Sequence, residues 1–459
     1  MDKIFEIIDT SMEAGLKDLR EFCSFRSVYE DAEGLQSAQK FIQEKLEELD
    51  IPYVTYNSGR PSDVILAKKI LPGKPTLLIY NHYDVVDVEE ESQDSHKQNL
   101  YDMTEVDGRL FARGVSDNKG ALLARLQALS AIQQARDDWP VGIALIYDNC
   151  EESGSETLKH MRKNSPELFR EYTDADLCLW ENGRTLPDQS PEAAFGVRAS
   201  LYVTLTARSS NGNEHARMGA ELPNAAFRLI QAIASMKDAQ ENILIEGFYE
   251  DVLEVTQADV DIIKKYPYNE KEMMRNKGIK EFLLGLSGTD LKKRIFLSPL
   301  LNVNGISSGC YGDRFENIVP SEAVARLSIA LVPLQTGDDI LRKLKAHLFR
   351  HGFDDIEVIG TPDGFPIRTD INSRWRDLLA AAAKDVYEKP LTISVTQLGG
   401  GPGYIFREIS PNLPIIAACG VAALDSGHHS AGENILIDNY LNGAKFTAAT
   451  IMKMAQCDE

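Results

Sequence analysis

Five short stretches of this chain carry side chains able to hold a cation or move a proton: His82-Tyr83-Asp84, Asp117, Glu151-Glu152, Glu181 and His429. His82 closely follows the apolar run Thr76-Leu77-Leu78-Ile79-Tyr80. A two-residue separation sets His82 and Asp84 on one side for as long as strand geometry persists. One ring nitrogen of His82 can then take a metal while Asp84 accepts the other N–H and fixes the tautomer. Asp117 stands between Ser116 and Asn118 at the start of a helical pattern, where an aspartate also serves as a cap. Glu151-Glu152 follows the apolar strand pattern Val141–Tyr147. Adjacent carboxylates repel unless they face apart or share a cation. A metal-bound Glu152 beside a free Glu151 meets both demands, with Glu151 placed as base for a metal-bound water. Glu181 closes Leu177-Cys178-Leu179-Trp180, and His429 comes just after a glycine-bounded turn, Ala422–Gly427. Taken singly, each has an ordinary reading: a structural histidine, a helix cap, a solvated carboxylate pair. Jointly they put nitrogen and oxygen donors at strand ends and in loops, which converge on one crevice in open α/β sheets. That donor set suits zinc, with cobalt or manganese as substitutes.

The elements that must position these groups follow from periodicity. The opening segment is helical, Pro52–Tyr56 and Val64–Ala67 read as short strands, and Leu122, Leu123, Leu126, Leu129 and Ile132 mark one side of an amphipathic helix. Strand and helix units alternate to about residue 190, as expected for a largely parallel sheet. From Phe195 the pattern changes to strict alternation in Leu201, Val203, Leu205 and Ala207, and again in 325–332. Between these lie a helix from about Ala225 to Met236 and a long charged helical stretch from Gln257 to Gly285. Strand Leu413–Ala418 and a helix from about Asn439 close the chain. The expected fold class is α/β: a catalytic domain with a mixed, largely parallel sheet flanked by helices, plus an inserted smaller α+β lid or dimerisation domain. The boundaries read 1–195, 196–366 and 367–459.

Length and charge bound the rest. A chain of 459 residues is large enough for two cores. A net charge of −21 disfavours nucleic acid and anionic membrane as partners, and no window approaches the roughly eighteen apolar residues of a membrane span. The start of the chain lacks a signal-peptide pattern, so cytoplasm is the expected location. The six cysteines, at 23, 150, 178, 310, 419 and 457, form no CxxC pair and read as mostly buried thiols.

The segments 81–86 (Asn-His-Tyr-Asp-Val-Val), 114–120 (Gly-Val-Ser-Asp-Asn-Lys-Gly), 151–155 (Glu-Glu-Ser-Gly-Ser), Glu181 and 429–433 (His-Ser-Ala-Gly-Glu) resemble the dinuclear zinc hydrolases of metallopeptidase clan MH. That group includes aminoacylase, carnosinase-type dipeptidases and acetylornithine deacetylase. The resemblance spans nearly the whole chain. It implies two Zn2+ per subunit, one on His82 and Glu181, the other on Glu152 and His429, with Asp117 bridging. It implies Glu151 as general base, Asp84 as support for His82, and His429 rather than His428 as ligand, because Glu433 follows it at the family spacing. The segment 215–226 is similar to the family's lid-domain histidine segment, which suggests an oxyanion role for His215 and a homodimer. Lid landmarks at 303–305, 317–320 and 331–333 and a glycine-rich loop at 399–401 look carnosinase-like. One departure stands out: dipeptidase relatives carry an arginine where this chain has Ala330, and Arg326 and Arg368 are the nearby cations.

The expected function is metal-dependent hydrolysis of an amide bond in a dipeptide or small peptide. The alternatives are deacylation of N-acyl amino acids, or of substrates lacking a free terminal carboxylate, and an inactive metal-stabilised interaction protein. A serine hydrolase is disfavoured by the absence of a GxSxG elbow, a glycosidase by the adjacency of Glu151 and Glu152, and a phosphate loop by the missing lysine after the glycines at 399–403.

Overall fold

The computed structural model describes residues 1–87, 99–310 and 315–456. The acidic stretch 88–98 lies outside the described residues, as does Cys457. Two compact units form: Met1–Gly196 with Arg368–Gln397 and Gly401–Glu459, and Val197–Ile367 with Leu398–Gly400.

The first unit is built on an eight-stranded mixed sheet. In spatial order its strands are Tyr53–Tyr56, Val64–Lys69, Gly142–Asp148, Thr76–His82, Leu177–Trp180, Ile415–Ala417, Glu192–Ala194 and Thr392–Ser394. The central four run parallel, while Val64–Lys69 pairs antiparallel with Gly142–Asp148. Every residue of Thr76–His82 and Gly142–Asp148 is buried, which explains their continuous apolar runs. Tyr80 stacks on Trp180 with ring centroids 4.1 Å apart, and Phe406 packs edge-on against both.

Helix Lys119–Ala135 departs from expectation in an instructive way. Lys119, Gly120, Arg125 and Ala128 are buried along with the leucine side, so the helix is enclosed on most of its circumference rather than amphipathic. The sheet covers one side, and helices Asp2–Thr10, Met12–Ser24 and Ile437–Met454 cover others. Alanine and glycine on the remaining faces permit that enclosure, because small side chains allow close packing.

The second unit holds a four-stranded antiparallel sheet, ordered Leu300–Ser308, Glu322–Leu331, Ala199–Arg208, Glu357–Asp363. Its inward residues, among them Leu201, Val203, Leu327 and Ile329, form a core with Leu229 from helix Ala225–Ser235 and Leu344 and Leu348 from helix Gly337–Arg350. Arg326 and Ala330 share the opposite face of their strand. The long helix expected from Gln257 to Gly285 is broken. A Thr256–Asp259 capping box starts Gln257–Lys265, Pro267 lies in the gap that follows, and Asn269 caps a new helix, Glu270–Lys277. Proline cannot supply the amide donor that a continuous helix needs, and Gly278, at φ +65°, ends the second piece. Among the described residues Cys23, Cys150, Cys178 and Cys419 are buried and Cys310 is half-buried.

Candidate metal centre

The first unit gathers all five candidate ligands. His82 ends the buried strand Thr76–His82, and Glu181 directly follows Leu177–Trp180, its parallel neighbour in the sheet. Asp117 precedes the helix Lys119–Ala135, and Glu152 lies in a single 3-10 turn, Glu151–Ser153, just beyond Gly142–Asp148. His429 sits in a loop at φ +60°, a left-handed conformation that a non-glycine residue adopts at a cost of about 1–2 kcal/mol. Strained backbone of this kind is concentrated at functional sites.

Distances divide the five into two pairs around Asp117. His82 Nε2 lies 3.1 Å from Asp117 Oδ1 and 3.6 Å from Glu181 Oε2. His429 Nε2 lies 3.4 Å from Asp117 Oδ2 and 3.1 Å from Glu152 Oε2. Donor atoms of His82, Asp117 and Glu152 all fall within 4.8 Å of one another. His428 reaches Asp117 Oδ2 through Nδ1 at 3.5 Å, and its Nε2 meets Ser116 Oγ at 2.8 Å. His429 alone of the two histidines also contacts Glu152 among the described residues.

The electrostatics follow from crowding carboxylates in a poorly solvated space. Burial pushes Glu181 up to about 8, with His82 only partly opposing it. Burial and the charge of Glu181 hold Glu151 well above the ordinary glutamate range. Burial also raises Glu152, against its bond to His429. At His82 burial disfavours the charged ring, yet Asp117 and Asp84 outweigh it and raise the imidazole well above its usual value. Bonds to Asp117 and Glu152 hold His429 up at about 10. Burial would raise Asp117, but the two histidines hold it far below the usual aspartate range. Such a cluster favours positive charge, as protons or as a cation. Two of its oxygens, Glu152 Oε1 and Glu181 Oε2, are buried with no hydrogen-bond partner among the described residues. Unsatisfied buried carboxylate oxygens are costly, and a metal ion would satisfy them. The residues present therefore fit a divalent metal.

Supporting groups hold the ligands. Asp84 lies with Oδ1 3.3 Å from His82 Nδ1, while the Asp84 carbonyl is 3.1 Å from the same nitrogen. The Asp84 carboxylate also accepts the backbone N–H of Glu151 and of Glu152, each at 3.0 Å, so it fixes the turn as well as the ring. Glu433 accepts the N–H of Gly114, Ser116 and Asp117 at 2.8, 2.8 and 2.9 Å and a bond from Arg113 at 2.5 Å. In the sequence Glu433 stands out only by its spacing from His429. Its position four residues beyond a candidate ligand histidine is the signal the sequence offers, since its partner Arg113 lies far away in the chain. A Cβ at Gly401 would stand 3.3 Å from Glu181 Oε1, so the glycine-rich loop keeps space beside that carboxylate. His215 belongs to the second unit, on the strand Glu214–His215; it is exposed, and its Nδ1 accepts the N–H of Arg217 at 3.2 Å.

The profile of peptidase family M20/M25/M40 matches residues 78–453. The solved structure of an M20 family metallo-carboxypeptidase from Sulfolobus solfataricus superposes with a TM-score of 0.88 at 30% identity, covering 96% of this chain and 99% of that one. The Beta-Ala-His dipeptidase of Homo sapiens is 24% identical over 491 residues, 99% of this chain and 93% of that protein. The Cys-Gly metallodipeptidase of Schizosaccharomyces pombe is 24% identical over 488 residues, 99% and 98% of the two.

Proposed function

The chain belongs to peptidase family M20/M25/M40 and is a metallopeptidase, and from that premise we propose that it hydrolyses the amide bond of a dipeptide or small peptide, with Glu151 as general base beside two zinc ions. The observation that carries this reading is the division of the Asp117 carboxylate between two imidazoles, each with its own glutamate. His82 and Glu181 would hold one ion, Glu152 and His429 the other, and Asp117 would be shared. Divalent ions held there would supply Lewis acidity toward water and the scissile carbonyl. Glu151, anchored through its own N–H to Asp84, accepts the proton of the attacking water and delivers it to the leaving nitrogen. His215 is assigned to the substrate carbonyl, and the inserted unit to the lid and to a homodimer. No described helix is long and apolar enough to cross a membrane; cytoplasm is the proposed location.

Dipeptide hydrolysis is preferred because relatives along nearly the full length act, by name, on Beta-Ala-His and Cys-Gly. Ala330 favours a second reading, an amidohydrolase acting on N-acyl amino acids or on substrates without a free carboxylate, since no cation stands at that position of its strand. The presence of Glu151 argues against an inactive scaffold. The test is an assay of zinc-reconstituted protein on three sets: unblocked dipeptides, their C-terminal amides and N-acyl amino acids. Preference for the first set supports dipeptidase activity, preference for the second or third supports the alternative, and turnover of none refutes both.

A further inference from the structure

Arg125 is 1% exposed, within the enclosed helix Lys119–Ala135, and all of its hydrogen-bond acceptors among the described residues are carbonyl oxygens. One guanidinium nitrogen donates to the Tyr80 carbonyl at 3.0 Å and to Asn81 Oδ1 at 2.9 Å. The other donates to the carbonyls of Trp180 at 2.6 Å, Ala418 at 3.0 Å and Asn182 at 3.3 Å. These acceptors lie where three parallel strands part. The Thr76–His82 and Leu177–Trp180 ladder stops at Ile79 opposite Leu179, and the Leu177–Trp180 and Ile415–Ala417 ladder stops at Trp180 opposite Ala417. Beyond those points Arg125 takes the place of the missing strand partner for the freed carbonyls. A guanidinium buried without a carboxylate is costly, and its rigid fork suits a junction of several acceptors in a way that a lysine ammonium does not.

Three asparagines extend the junction. Asn81 Nδ2 donates to Asn118 Oδ1, and Asn118 Nδ2 donates to Asn182 Oδ1 at 3.3 Å. Each is the chain neighbour of one candidate ligand: Asn81 of His82, Asn118 of Asp117, Asn182 of Glu181. We propose that Arg125 is a positioning residue for the metal centre: its fork locks the splayed ends of the strands bearing His82 and Glu181, and the asparagine relay ties the Asp117 peptide to them. The inference rests on the metal-centre reading of the preceding section. Arg125 touches none of the candidate ligand side chains among its hydrogen bonds, so it acts through backbone placement rather than in the reaction.

The experiment titrates metal-free wild type, Arg125→Lys and Asn81→Ala with Zn2+ in a calorimeter, alongside thermal melts and kcat and KM for Cys-Gly. Losing an outer support of a metal site weakens binding about 10–100-fold. The expected result is that folded Arg125→Lys binds Zn2+ about 10–100-fold more weakly, with kcat lowered and KM changed less than about threefold. Asn81→Ala, which removes the Oδ1 acceptor and the link to Asn118 but leaves the backbone carbonyl contacts of Arg125 in place, should lose affinity in the same direction but by less. A lower melting temperature with unchanged Zn2+ affinity in either folded variant would assign these residues to stability alone and overturn the inference. If Arg125→Lys does not fold, Asn81→Ala decides by the same criterion. Wild-type protein that binds no Zn2+ would instead overturn the metal-centre reading itself.

Discussion

The carboxylate of Glu433 accepts the backbone N–H of Asp117 at 2.9 Å, so the candidate bridging ligand is held from the loop that carries His429. The same carboxylate takes two further amides and pairs with Arg113 in a buried bridge. A glutamine would set an NH2 against donors, and an alanine would leave Arg113 buried and unpaired. Glu433→Ala should lose about 3–5 kcal/mol of stability, the usual cost of removing one partner of a buried pair. Urea unfolding with parallel zinc analysis measures it. A variant with wild-type midpoint and full metal content would show that the two loops hold without Glu433.

Glu151 and Glu152 share one turn but are assigned different work. Glu151→Gln should retain both metals and fall about 10²–10⁴-fold in kcat, the contribution of a positioned general base. His429→Ala removes a donor facing both Asp117 and Glu152, so metal content should fall together with activity. Elemental analysis of the purified variants, set beside their kcat values, separates the two roles. Normal turnover by the glutamine variant would remove Glu151 from the mechanism.

How much of this was legible in the sequence depended on where each residue lies. The buried strands ending at His82, Asp148 and Trp180 announced themselves as apolar runs, and charged or histidine residues just past them were conspicuous. Arg125 was not, because one arginine within a leucine-rich helix reads as a surface side chain when only one apolar side is traced. Its burial is a tertiary fact, set by the strand ends whose carbonyls it meets. The asparagine relay was invisible for the same reason: Asn81, Asn118 and Asn182 are distant in sequence and meet only where strands part. The break at Pro267 is signalled by the proline itself, but charged periodicity continues on both sides of it and masks the interruption.

Metal-free protein should lose stability as the pH rises from about 6.5 to about 8. His429 is held at about 10, above its ordinary 6.5, so its stabilising contribution is complete below 6.5 and declines as pH climbs toward 10. Glu181 is raised from 4.5 to about 8, so the folded state binds its proton more tightly than the unfolded one and loses ground as pH rises from 4.5 to 8. Lys119, depressed by burial to about 8, acts in the opposite sense, but mainly above that pH. Melting temperatures of chelator-treated protein across this window test the slope, and adding Zn2+ should flatten it because the cation replaces the protons. A melting temperature that rises with pH over the same interval would contradict the assignment.

Asp84 offers a sharper test because it serves two neighbours at once. Its carboxylate lies beside His82 Nδ1, yet both oxygens also accept amides, from Glu151 and from Glu152. In Asp84→Asn the side chain keeps one acceptor and turns an NH2 toward the other amide, whereas the Asp84 carbonyl, 3.1 Å from Nδ1, still orients the ring. If Asp84 worked only through His82, the asparagine variant would be mild. Because it also fixes the turn carrying the base and a ligand, activity should fall by at least the 10–100-fold or so typical of a metal site's outer support. The loss should appear in kcat more than in KM, since the displaced group is Glu151 rather than a substrate contact. Zn2+ binding should weaken at the site that uses Glu152. Steady-state kinetics and calorimetric titration of the one variant read both effects, and wild-type values in both would leave the turn without need of Asp84.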